Sequence, residues 1–339
     1  MTLRFSGAAA LSRARLRPMS KIFVIHENNA WVEPLRAAFA ELNLRFEEWF
    51  LDEGVLDFSA PPPDGVFYNR MSASSHTRGH RYGPEYTAAV LAWLESYDRR
   101  VVNDSRALRL EVSKIAQYAA LRRYGVRTPR TLAAVGADRI VQAARNMPAP
   151  FITKHNRAGK GLGVHLFHDI ASLERYVASP QFEQSVDGIT LIQEYIEAPE
   201  PCITRAEFIG GKFLYAVRVD TSQGFELCPA DVCQIGDLAC PVGGETAAVR
   251  PRFEVIPDFD IPDLERYRRF MADYGVGIAG IESIVDARGE RYTYDVNTNT
   301  NYNSEAEAQA GLFGMRTIAA YLGRESGQMP ERGPASQAA

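Results

Sequence analysis

Along the first hundred residues the apolar positions switch repeatedly between alternation and helical spacing. The pattern predicts a strand over 21–26, a helix over 31–42, strands over 45–51 and 65–70, a helix over 84–96 and a strand over 100–103. Such an order describes a small α/β layer, interrupted by a loop at Pro61, Pro62 and Pro63. The polar segment MSASSHTRGHRYG (71–83) follows the strand that closes at Arg70, where an α/β sheet offers its carboxyl edge to ligands. Asn69, Arg70, Ser72, Ser74, Ser75, His76, Arg78 and His80 are therefore candidate substrate contacts, with solvated loop polarity an equal alternative. His76 or His80 as a general base is the lesser reading beside an ordinary loop histidine.

From 104 to 124 the period is helical, with a break near Val112 and Ser113. Ser113 is placed to cap a new helix with Lys114 in its first turn, where the helix dipole disfavours a cation by roughly a few tenths of a kcal/mol. Lys114 then pairs with an acid such as Glu111 or receives an anion, a solvated lysine being the plain alternative. Further on come a helix over 137–147, a strand over 151–154, the loop HNRAGKGLG and a strand over 164–167. Gly159, Gly161 and Gly163 free the loop backbone to face phosphates, with Lys154, Arg157 and Lys160 supplying charge. The loop is not a P-loop, since Lys160 precedes a glycine and no helix follows, and its glycine spacing is not that of a dinucleotide fold. A flexible hairpin remains as good a reading as a phosphate cradle. Strands over 190–196, 205–209, 213–219, 280–286 and 291–297, with helices over 263–274 and 306–321, complete the chain.

Composition narrows the class. At 339 residues, 46% hydrophobic and 24% charged, the chain can bury two or three cores and is neither a disordered nor a disulfide-dense type. A net charge of -4 gives no general attraction to nucleic acid or anionic membrane, and no apolar run approaches the roughly 20 residues of a membrane helix. Cys202, Cys228, Cys233 and Cys240, with no secretory signal, imply a reducing cytoplasmic setting; the C-x4-C-x6-C spacing lacks a zinc knuckle and favours structural thiols or a substrate loop. Residues 1–18 are read as a disordered arm or an over-long start before Met19, and 324–339 as a disordered tail.

The hairpin GIESIVD and RYTYDVNTNTNYN carries the most chemistry. Asp295 and Asn297 share a strand face, and Glu282 lies on the partner strand. Two carboxylates and an amide oxygen suit Mg2+, with an exposed polar strand end as the even alternative. If the strand persists, Asn297, Asn299, Asn301 and Asn303 all fall on one face.

In order, NDSRALRLEVSK, FITK with its glycine loop, IQEYIE, RAEF, and GIES with YDVNTNTN resemble the ATP-grasp fold, especially RimK-type glutamate ligases and glutathione synthetases. The resemblance covers roughly 104–322 and implies an α+β and α/β architecture. It comprises an N-terminal pre-ATP-grasp domain (19–103), a small lobe with a glycine-rich lid (104–189) and a large lobe with the Mg site (190–323). It implies ATP with Mg2+, or Mn2+, as cofactors. Lys114, Lys154, Lys160 and Gly161 would meet phosphates, Gln193, Glu194, Tyr195 and Ile196 adenine, and Glu282, Asp295 and Asn297 the metal. Arg205 and Arg218, with Lys154, would act on the carboxylate or the transferred phosphoryl group. Asn299 and Asn301 run beyond the family's usual motif and, with Asn69 and Arg70, are candidate substrate contacts near the metals. Two departures stand out: the usual Asp and Glu of the metal strands are exchanged, and Ile203 occupies the place of a ribose-binding acid, leaving Glu197 or Glu200 to substitute. The implied activity is a carboxylate–amine ligase working through an acyl phosphate on an amino acid or peptide, with self-association left open. The alternatives are a kinase acting on a hydroxyl and a non-catalytic ATP-binding protein.

Overall fold

The computed structural model describes residues 19–159, 161, 163–222, 252–256 and 258–331. The first layer is a parallel sheet of β1 (Lys21–His26), β2 (Phe46–Phe50), β3 (Gly65–Asn69) and β4 (Arg100–Val102), ordered β2-β1-β3-β4. Helices α1 (Asn29–Glu41) and α2 (Gly83–Ser96) connect its strands. Because β1 is central it is apolar on both faces. Ile22 and Val24 join Leu35 and Phe39 of α1, whereas Phe23 and Ile25 join Val90, Leu91 and Leu94 of α2.

Two short helices follow, α3 (Ser105–Glu111) and α4 (Lys114–Arg123). Ser113 caps α4 as the sequence predicts, accepting from the Ala116 N–H at 3.2 Å. Beyond them stands an antiparallel sheet of β5 (Thr131–Ala134), β6 (Phe151–His155), β7 (His165–Phe167) and β8 (Thr190–Glu194), ordered β5-β8-β6-β7. It is covered by α5 (Ala137–Ala144) and α6 (Ile170–Val177). The third sheet, also antiparallel, holds β9 (Cys202–Ile209), β10 (Lys212–Asp220), β11 (Phe253–Ile256), β12 (Ile278–Val285) and β13 (Arg291–Asn297), ordered β11-β10-β9-β12-β13. Helices α7 (Asp263–Asp273), α8 (Ser304–Ala310) and α9 (Gly314–Glu325) complete it.

Several expectations change. β8 pairs with β5 and β6, so the boundary expected at 189/190 cuts through one sheet and the crossing lies after Glu194. Helices α3 and α4, expected with the small lobe, bury Ala107, Leu110, Ala120 and Leu121 against Phe208, Tyr267 and Phe270 of the third sheet and α7. The helix expected over 306–321 is two helices, because Gly311 takes a left-handed φ of 67° and Gly314 lies against the Tyr302 ring, where a Cβ would collide. The strand face expected through Asn303 stops at Asn297, and Asn303 instead caps α8 through the Ala306 N–H. β5, α6 and β11 are too short for periodicity to show. Within the tail expected to be disordered, residues 326 and 328 dock on the first layer: Ser20 N–H donates to the Ser326 carbonyl, and the Gln328 amide bonds Ser20 and Arg45. The expected arm 1–18 and residues 332–339 lie outside the described residues, as do Cys228, Cys233 and Cys240. Among the described residues no helix is long and apolar enough to cross a membrane.

One side chain pins the first layer to the third sheet. Asn103, fully buried with φ of 59°, donates to the carbonyls of Ile278 and Thr298 and accepts from the N–H groups of Gly277 and Ile278. Asn103→Ala strands four backbone groups, so a loss of about 3–5 kcal/mol is expected in urea unfolding; a loss below about 1 kcal/mol would mean that Asn103 does not pin the layers.

Candidate active site

A cavity of about 470 Å³ lies between the second and third sheets, with Trp31, Ser72 and Ser74 of the first layer at one end. On one side stand Ile152, Lys154 and His155 of β6, the glycine loop, and the segment 193–198. On the other stand Ile203, Arg205, Glu282, Ile284, Tyr294, Asp295 and Asn297.

The register explains the chemistry of the second wall. Arg205 on β9 pairs with Glu282 on β12, and Glu282 pairs with Asp295 on β13, so the three form one row on one face. Arg205 donates to Glu282 at 2.7 Å, to Glu207 at 2.5 Å and to the Thr300 hydroxyl at 2.6 Å. Gly280 makes room for this guanidinium, since a Cβ there would overlap it. Asn297 donates to Glu282 at 3.2 Å.

Lys114 reaches across to Asp295 at 2.7 Å. Its helix is docked on the end of β6: the Lys114 N–H donates to the Asn156 carbonyl and the Ile115 N–H to the Asn156 side chain. Two lysines from different elements thereby face the same carboxylate pair. Burial pushes Asp295 up, but Lys114 and Lys154 outweigh it and hold the carboxyl below its ordinary range. Burial also pushes Glu282 up, only partly offset by Arg205, and pushes Lys154 below the usual lysine value against the pull of Asp295 and Glu282.

No family model matches the sequence. A probable alpha-L-glutamate ligase of Vibrio vulnificus (strain YJ016) is 27% identical over 140 residues, 41% of this chain and 46% of that protein. The match thus spans less than half the length of that relative. Among solved structures, a RimK domain ATP-grasp protein from Sphaerobacter thermophilus DSM 20745 aligns with a TM-score of 0.59 at 17% identity, over 89% of this chain and 99% of that one. The chain has the ATP-grasp fold. A second ATP-grasp structure, the ligase PsnB complexed with minimal precursor, Mg and ADP, gives a TM-score of 0.61 at 13% identity over 90% and 97% of the two chains.

Most of the residues singled out in the sequence meet in the ATP-grasp cavity. Lys114, Lys154, Gly161, Gln193, Glu194, Tyr195, Ile196, Glu197, Arg205, Glu282, Asp295, Asn297, Asn299 and Asn301 all line it. Others are moved elsewhere. Arg218 does not line the cavity and pairs with Glu200 at 2.7 Å. Asn69 spends its side chain on the Asn103 carbonyl and the Met71 N–H. Arg70 sits behind the wall on Asn299 and Asn301. Arg157 turns away to Glu85 at 2.6 Å. His76 bonds the Ala73 carbonyl, His80 lies against Phe50, and neither lines the cavity. Glu111 does not pair with Lys114; it accepts from the Ala73 and Thr298 N–H groups and the Thr298 hydroxyl. Lys160 lies outside the described residues.

The donor set fits a hard divalent cation, with two facing carboxylates and an amide held beside them. No cluster of three His, Cys, Asp or Glu side chains occurs among the described residues, so phosphate oxygens and water would complete such a site.

Sequence reasoning missed Tyr118. Its hydroxyl accepts from Lys154 at 3.2 Å and from Gln193 at 3.0 Å, and donates to the Tyr294 carbonyl at 3.0 Å, joining both sheets through one oxygen. The Lys154 ammonium also lies 5.9 Å from the Tyr118 ring centre and 5.6 Å from that of Tyr294. Its spacing of four from Lys114 on a capped helix was the available signal. Tyr118→Phe keeps the ring and removes the shared oxygen, for an expected loss of about 2 kcal/mol in chemical denaturation. Tyr118→Leu is expected to lose about 1 kcal/mol more with the ring; equal stability of all three proteins would refute the junction.

Proposed function

We propose that this protein is an ATP-dependent ligase that joins a carboxylate to an amine through an acyl phosphate, with an amino acid or peptide as substrate. One observation carries the reading: Lys114 and Lys154, from separate elements, converge on the buried Glu282–Asp295 pair at the floor of a cavity flanked by the glycine loop. Acids and lysines so arranged are suited to a polyphosphate with its cation. The likeness to ligase structures and to the glutamate ligase segment supports the same reading.

In this reading the adenine lies along Gln193, Glu194, Tyr195 and Ile196, between the apolar Ile152 and Ile284. Glu197 serves the ribose, since Glu200 is engaged by Arg218. Lys114, Lys154 and the glycine loop hold the phosphates. Glu282, Asp295 and Asn297 would hold Mg2+ or Mn2+, which when bound would neutralise charge on the phosphate oxygens. A carboxylate oxygen attacks the γ-phosphorus and ADP leaves; the neutral amine then attacks the acyl carbon, and phosphate leaves carrying the amine's proton, giving an amide. Arg205 stabilises the charge that develops on the transferred group, positioned by Glu207. Closure of the glycine loop over the cavity keeps water from the acyl phosphate.

Mg2+-dependent ADP release, measured across pools of amino acids, dipeptides and small acids with mass analysis of products, tests this directly. The expected result is release that requires both a carboxylate and an amine, with a product at the summed mass less one water. Lys154→Ala and Asp295→Asn are each expected to lower that rate at least ~100-fold. Release that tracks a hydroxyl compound gaining phosphate would identify a kinase. ATP stabilisation against heat that is unchanged in both variants would reject the site itself.

A further inference from the structure

Arg70 is among the most deeply buried side chains of the protein, 1% exposed. A guanidinium at that depth is ordinarily matched by a carboxylate, because a charge taken out of water without one is strongly unfavourable. Among the described residues Arg70 has no acidic partner. Its Nε donates to Asn299 Oδ1 at 3.1 Å, and its Nη2 to Asn301 Oδ1 at 2.9 Å and to the Thr300 carbonyl at 3.1 Å. Its Nη1 faces the Met315 sulfur at 3.7 Å, and the guanidinium lies 5.7 Å from the Tyr68 ring centre.

This pairing fixes the polarity of the cavity wall. A guanidinium carries only donors, so both amides must present their oxygens to it, whichever way each amide is drawn. Their Nδ2 groups then point away from Arg70. Asn299 and Asn301 both line the cavity, and neither Nδ2 donates a hydrogen bond to another described residue. Two donors stand side by side with an unneutralised positive charge behind them. Polarisation by that charge makes each amide a stronger donor toward an anion. The acid at this end does not compete, because Glu111 is committed to three donors of its own.

We infer that this end of the cavity is the subsite for the substrate's carboxylate, with Asn299 and Asn301 as its direct donors and Arg70 as a positioning residue acting through them. The assignment of that anion to the substrate rests on the ligase reading. The phosphate region is marked by Lys114, Lys154 and the glycine loop, and Asn299 and Asn301 lie two and four residues beyond Asn297, toward Trp31, Ser72 and Ser74. Holding the guanidinium one amide back also suits the reaction. A direct salt bridge would bind the attacking carboxylate but dull it as a nucleophile, whereas amide donors orient it and leave it reactive.

Calorimetric titration of the full chain, loaded with Mg-ADP, with amino acids, dipeptides and their carboxamides tests the subsite. At least one acid is expected to bind, with its carboxamide at least tenfold weaker. Asn299→Asp and Asn301→Asp are expected to weaken the acid at least tenfold while the Mg-ADP affinity moves less than twofold. Both variants give Arg70 a counter-ion, so their unfolding midpoints are expected to hold or rise, which separates lost binding from lost folding. Equal binding of acid and carboxamide, absence of any acid binding, or undiminished binding in both variants overturns the inference. An equal loss of Mg-ADP affinity overturns it too, assigning the amides to the phosphates. If Mg-ADP fails to bind the wild-type chain, the ligase reading falls, and the same acids titrated onto the unloaded protein still decide the subsite.

Discussion

Everything about the cavity follows from the cost of burying two carboxylates side by side. Glu282 and Asp295 face each other across β12 and β13, where mutual repulsion and desolvation both oppose ionisation. They can persist there only because cations arrive from three other elements: Arg205 on β9, Lys114 on α4 and Lys154 on β6. The lobes are thus arranged around a charge balance, and the same balance makes the floor responsive to a metal–polyphosphate ligand that brings both signs at once.

Local sequence choices serve this arrangement. Gly280 clears the path of Arg205, and Gly163, at φ of 71°, accommodates the ring of His155 as the loop returns to β7. Ser113 starts α4 where Asn156 can hold its first N–H groups, which places Lys114 over Asp295. Asn103 and Tyr118 then lock adjoining sheets through single polar side chains satisfied on several sides. Small shifts at these junctions would reach the cavity directly.

Much of this was legible beforehand. The first α/β layer, the Ser113 break, the glycine loop and the Glu282–Asp295–Asn297 face all follow from period, caps and strand alternation. What escaped depends on long-range partners. Nothing local says that β8 rejoins β6, that Glu111 serves Thr298 rather than its neighbour Lys114, or that Asn69 is consumed by Asn103. Arg70, Asn299 and Asn301 each stood as candidate substrate residues, yet only burial and hydrogen bonding show that Arg70 stands behind the two amides. The split of the last helix turned on one left-handed glycine, which helical periodicity cannot distinguish from a tolerated one.

Helix α9 gives the architecture a temporal dimension. Ile318, Ala319 and Leu322 share one cluster with Ile22, Val24 and Val66, so a strand and a helix from opposite ends of the described residues complete one core. Before α9 docks, that face of the sheet is covered by α1 alone, through Val32, Leu35 and Phe39. A layer lacking α9 would leave part of that apolar face open, a state prone to association and suited to chaperone capture. Docking of α9 is thus the step that closes this core, and the layer without it carries the greater liability to aggregate.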